Sequence, residues 1–96
     1  MSHTYNLHDK LADELFEMHS LTALAWLIAH GRELEFFTSA HTACFLSRHG
    51  SSQTVSLWEN GVEQAFSSIE ALFQQASLDG ILFLLAWEHT ELACLF

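Results

Sequence analysis

The sequence predicts an α+β fold in two layers, and three observations lead there. Apolar residues recur at helical spacing up to His30, from Glu33 onward they alternate with polar ones, and a second helical signal follows near Ser67 before an apolar tail. A chain of 96 residues buries only about 60–65% of its unfolded surface, enough for one modest core. Residues 1–96 are therefore expected to form a single domain, with half of them apolar and no proline-rich or low-complexity linker to divide them.

The elements follow in order. Asn6 is a natural N-cap, with Asp9 three residues on. Leu7, Leu11, Leu15 and Met18 then mark one face of an amphipathic helix, and Asp9, Asp13, Glu14 and Glu17 the other. Ser20 can cap a second helix, Leu21 to His30, which Gly31 ends because glycine tolerates the left-handed conformation there. A single helix from Leu7 to His30 would span about 36 Å, longer than a domain of this size is wide, so a break near His19-Ser20 is expected. Glu33–Phe36, Thr42–Ser47, Thr54–Trp58 and Val62–Phe66 read as strands, joined by the turn at Arg48–Gln53 and the hairpin signal Asn60-Gly61. Short connections make them an antiparallel meander of three or four strands. Ser67-Ser68-Ile69-Glu70 reads as a capping box opening a helix buried through Ile69, Leu72, Phe73 and Ala76. Asp79-Gly80 is a turn, and Ile81–Trp87 fits a short helix or a buried strand by periodicity. Thr90–Phe96 reads as a last strand with Leu92, Cys94 and Phe96 on one face.

Gly31–Phe36, Phe45–Ser47, Ser56–Trp58, Phe66–Glu70, Leu78–Gly80 and Trp87-Glu88, in that order, resemble a group of small uncharacterised bacterial proteins, mainly from Gram-positive bacteria. The resemblance covers roughly two-thirds of the chain. It implies a fold of this kind, with a short helix ending at the Trp, and no particular activity. The run Ile81–Ala86 departs from it in being entirely apolar, where such relatives are polar and amphipathic.

Composition narrows the function classes. Three basic residues, Lys10, Arg32 and Arg48, stand against twelve acidic ones, a formal net charge of −9. Displacing counterions from phosphate requires cations, so no nucleic-acid partner is expected, and anionic membrane surfaces are disfavoured likewise. Acidic fields do steer basic proteins. The N-terminus lacks the basic and apolar segments of a secretory signal, and no run approaches the ~18–20 apolar residues of a membrane span. A cytoplasmic protein with Cys44 and Cys94 reduced is expected. Protonating all seven histidines would bring the formal charge from −9 to −2. A solubility minimum near the sequence pI of 4.9 is predicted; undiminished solubility across a precipitation series at that pH would refute it.

Catalytic motifs do not emerge. No Gly-x-Ser-x-Gly elbow and no glycine-rich phosphate loop are present, and both cysteines lie in apolar runs, where a thiol is ordinarily inert. His8, His19, His30 and His41 recur every eleven residues; the first three would share one face of a continuous helix, but about 16 Å apart along it, too far to share an ion. No enzyme activity, cofactor or metal is therefore expected. The reading that remains is a non-enzymatic interaction or regulatory domain whose partner is another protein or a second copy, as a homodimer. Its candidate contact residues are Ile81, Leu84, Leu85, Leu95 and Phe96. A sharper variant is an acidic immunity- or antitoxin-like inhibitor that meets a basic partner through Asp13 and Glu17. The rival, from another class, is a metal or ligand binder built on histidines such as His41 or His49. A Cys nucleophile assembled in space, for instance Cys94 with His89, is a third. Trp26, Trp58 and Trp87 can each serve as core or as contact residues.

Overall fold

The computed structural model describes residues 6–96. Two helices, α1 (Leu7–Met18) and α2 (Leu21–Ala29), precede four strands, β1 (Leu34–Phe37), β2 (Ala43–Arg48), β3 (Val55–Glu59) and β4 (Val62–Phe66). Helix α3 (Ile69–Gln75), a small hairpin of β5 (Ser77–Leu78) and β6 (Ile81–Leu82), one helical turn α4 (Phe83–Ala86), a 3-10 turn (Trp87–His89) and β7 (Glu91–Leu95) complete the order. The fold is α+β, as the sequence predicts.

The N-terminal signals act as expected. The Asn6 side chain accepts from the Asp9 amide at 2.9 Å, and that of Ser20 accepts from the Ala23 amide at 3.1 Å. The break between the helices falls at His19, whose φ of 52° is left-handed. The apolar stripe of α1 is a different matter. Only Leu15 is fully buried, while Leu7, Phe16 and Met18 are exposed. The reason is placement: α1 packs chiefly on α2, so half of its stripe has no partner layer.

The main sheet has five strands in the order β4-β3-β2-β1-β7, all neighbours antiparallel. Hairpin chemistry builds the meander: Asn60 and Gly61 both take positive φ, as a two-residue hairpin turn requires. The last strand returns to β1, where the Glu33 and Phe96 backbones exchange hydrogen bonds at 2.7 and 3.0 Å. Leu34, Phe36, Cys44, Leu46, Val55 and Leu57 line the buried face with Ala23, Leu24, Leu27 and Ile28 of α2 and Ile69 and Leu72 of α3.

Three further expectations change in detail. Ser68, not Ser67, caps α3, accepting from the Ala71 amide at 3.1 Å; starting the helix at Ile69 places Ile69 and Leu72 together on the core side. The run Ile81–Trp87 is neither one strand nor one helix. It begins as the strand β6 and turns helical at Phe83, whose ring is fully buried and stacks on Phe73 and Trp87, each at 5.6 Å. Finally, Leu92 and Cys94 do not share a face. The register against β1 shifts between Glu35 and Phe36, pairing Leu92 with Phe36 but Cys94 with Glu35. A bulge of one residue reverses the alternation, so Leu92 and Leu95 both pack on the core and Cys94 comes to the other side.

Candidate functional site

Two surfaces stand out. The first is the apolar turn after α3. Asp79 and Gly80, both at positive φ, close the β5–β6 hairpin and register Leu78 against Ile81. Hydrogen bonding, foremost from the Thr38 side chain and also from Thr42, holds the Asp79 carboxyl below the usual carboxylate range; Thr42 Oγ1 donates to it at 3.0 Å. With Phe83 pointed inward, Ile81, Leu82, Leu84 and Leu85 are left between 46% and 65% exposed. No charged residue interrupts the sequence from Gly80 to Trp87. Beside the turn lies a cleft of about 260 Å³, lined by Thr38, Leu78, Ile81, Leu85, Ala86 and His89 among others.

The second is the outer face of the sheet. Side chains directly opposite in antiparallel strands share a face, and the registers align Glu63 with Trp58, Trp58 with Phe45, Phe45 with Glu35 and Glu35 with Cys94. Phe96 lies against Phe45, ring centroids 6.1 Å apart. Trp58 is 37% exposed. A shallow depression of about 250 Å³ between Glu35, Phe45, Trp58 and Asn60 opens on this side. The row is thus carboxylate, indole, phenyl, carboxylate.

Near one end of that row, His49 Nε2 donates to Ser56 Oγ, which donates to Glu63 Oε2; His49 Nε2 and Glu63 Oε2 are 3.5 Å apart. The arrangement differs from a nucleophile triad. The serine proton goes to the carboxylate rather than to the imidazole, and Ser56 is fully buried, closed off by its own partners. His49 does meet a carboxylate, but among the described residues no group of three His, Cys, Asp or Glu could hold a metal ion.

Three other histidines, His8, His19 and His30, make ring contacts within the fold. His19 Nε2 donates to the Thr90 carbonyl at 2.9 Å, and the His19 ring packs on Trp87, whose Nε1 donates to the His19 carbonyl at 2.8 Å. His30 stacks on Trp26 at 3.8 Å, and His8 accepts from Arg32. His8, His19 and His30 thus reach separate contacts, while His41 is exposed between β1 and β2 at a positive φ of 66°; His3 lies outside the described residues. Cys44 is buried, and burial, together with the Glu59 and Asp79 carboxylates, pushes its thiol up to about 12, the opposite of what a nucleophile needs. Cys94 faces Glu35 across the sheet, while His89 lines the cleft beside the apolar turn, so these two are not brought together.

Of the residues singled out from sequence, Ile81, Leu84 and Leu85 lie together on the apolar turn. Phe96 is exposed on the outer sheet face, whereas Leu95 packs against the core. Asp13 and Glu17 are exposed on α1. Leu82 belongs to the apolar turn and was legible as part of the same uninterrupted run. The Glu35–Phe45–Trp58–Glu63 row was not, although the alternation Val55, Leu57 against Ser56, Trp58 already puts Trp58 opposite the core side of its strand. No helix among the described residues is long and apolar enough to cross a membrane. No family model matches the chain, and no curated protein and no solved structure matches it.

Proposed function

We propose that this chain is a non-enzymatic interaction domain that pairs with a second copy of itself through the apolar turn Ile81–Leu85. The observation that carries the reading is four large aliphatic side chains left substantially exposed within five residues, around the buried anchor Phe83. Exposed apolar surface costs about 25 cal/mol per Å² relative to burial, and contiguous patches of this kind ordinarily have partners. A second copy is the favoured occupant for two reasons. Each copy carries a net charge of −9, so two copies approach best where charge is absent, and the turn is such a place between Asp79 and Glu88. The protruding aliphatic residues also adjoin the cleft lined by Ile81, Leu85 and Ala86, in which the carboxylate of Asp79 is already engaged by Thr38 and Thr42, and a two-fold interface pairs a projection on each copy with a recess next to the same projection on the other.

Sedimentation equilibrium tests this. The wild type is expected at twice the 10.9 kDa chain mass at micromolar concentration. The double substitution Leu82→Glu, Leu85→Glu is expected at the monomer mass with an unchanged far-ultraviolet spectrum, since both side chains lie outside the core. A wild type that stays monomeric at every concentration tested overturns the reading.

A further inference from the structure

We infer that the outer face of the sheet is a docking site for an extended, arginine-bearing segment of a partner protein, received on Trp58 and Phe45 between the carboxylates of Glu35 and Glu63. This surface is separate from the apolar turn, and the two proposals fail independently.

The argument is chemical complementarity. An indole beside a phenyl ring offers π-faces to a planar cation, and guanidinium stacks on such faces while its N–H groups reach neighbouring carboxylates. Glu35 and Trp58 line one depression with Phe45, so both contacts are available to one guanidinium. The Glu35 carboxylate makes no hydrogen bond or ion pair among the described residues. Glu63 uses Oε2 on Ser56 and His49, and its Oε1 is likewise unbonded among them.

The chain does not supply the missing cations itself. Arg32 donates to the Phe96 carbonyl at 2.6 Å and to His8, and Arg48 donates to the Ala29 carbonyl at 2.8 Å. Lys10 is on α1, the remaining one of three basic residues. A second copy, with the same shortage and a charge of −9, is therefore a poor occupant of this face, and a basic partner is a good one. Three strand spacings separate Glu35 from Glu63, about 14 Å. Four residues of extended chain cover about 13 Å, so two arginines four residues apart match the two carboxylates.

The probe is a soluble Gly/Ser peptide carrying two arginines at that spacing, titrated into the full chain at low ionic strength and followed by heteronuclear amide shifts. The arginine peptide is expected to shift amides of all four strands β1 to β4, and the same peptide with glutamines is not. Trp58→Leu is expected to weaken binding about tenfold, and Glu35→Gln about fivefold. Glu70→Gln removes the same charge from α3, away from this face, and is expected to leave affinity unchanged. Equal binding of the glutamine peptide, or equal losses for Glu70→Gln and Glu35→Gln, overturns the site as a specific one. Free arginine binding as tightly as the peptide overturns the choice of a peptide segment. Amide shifts confined to the apolar turn overturn the location.

Discussion

Replacing Trp87 with alanine is expected to destabilise the chain by about 3–5 kcal/mol, a large share of the 5–15 kcal/mol typical of small domains. Trp87 is buried where four elements meet. Its ring stacks on Phe83, meets Phe36 edge-on at 5.8 Å and packs on His19 at 5.1 Å. Its Nε1 donates to the His19 carbonyl at 2.8 Å, tying the left-handed end of α1 to the 3-10 turn. Alanine would empty the site and leave that carbonyl without its partner. Trp87→Phe separates the two effects: it keeps most of the ring packing, loses the hydrogen bond, and should cost about 1–2 kcal/mol. Thermal melts of the three proteins, at one fixed concentration because dimer formation shifts the midpoint, should place Trp87→Ala roughly 20 °C below wild type. A midpoint within a few degrees of wild type would mean that Trp87 is not the joint described.

The second large effect is alkaline. In the unfolded chain the Cys44 thiol ionises near its ordinary value of 9.0, whereas burial and then the Glu59 and Asp79 carboxylates raise it to about 12 in the fold. Between those values the unfolded chain gives up a proton that the folded chain retains. Stability therefore falls as pH rises through that window and is fully present below pH 9. The loss attributable to Cys44 is on the order of 4 kcal/mol at its limit. Cys44→Ala should flatten the dependence over the same window, after allowance for its offset at neutral pH, and urea titrations at pH 8 and pH 11 provide the comparison. The same environment predicts that at pH 8 one thiol, Cys94, reacts with iodoacetamide in the native chain, while Cys44 reacts only after denaturation. Equal slopes for the two proteins would remove the raised thiol from the account.

Local chemistry made much of this fold legible. Asn6 and Ser20 cap as their side chains predict, Asn60-Gly61 turns as its backbone must, and the alternation from Leu34 to Phe66 orders the meander. What escaped was decided by partners distant in sequence. The apolar stripe of α1 reads as a core face, but the number of layers that cover it is a tertiary fact, and Leu7 and Met18 are left outside. Alternation alone put Leu92 and Cys94 together; the register shift against β1 separates them, and no residue in the tail announces it. The apolar turn was visible as an uninterrupted run, whereas the row of Glu35, Phe45, Trp58 and Glu63 exists only once four strands are aligned, which is why the acidic residues of α1 were the more obvious choice.

The position of β7 beside β1 has a consequence for biosynthesis. Strands β2 to β4 can pair as local hairpins soon after they leave the ribosome, but the outer edge of β1 faces its partner only after α3, the β5–β6 hairpin and the Trp87 turn have been made. Until then the nascent chain presents an unpaired strand rich in Leu34, Phe36 and Phe37, a template for pairing with other chains. Closing that gap is a long-range event and so a slow one. Expression yield should therefore respond more to substitutions that delay docking of β7 than to equally destabilising ones within the meander, and co-expressed holdase chaperones should rescue the former class first.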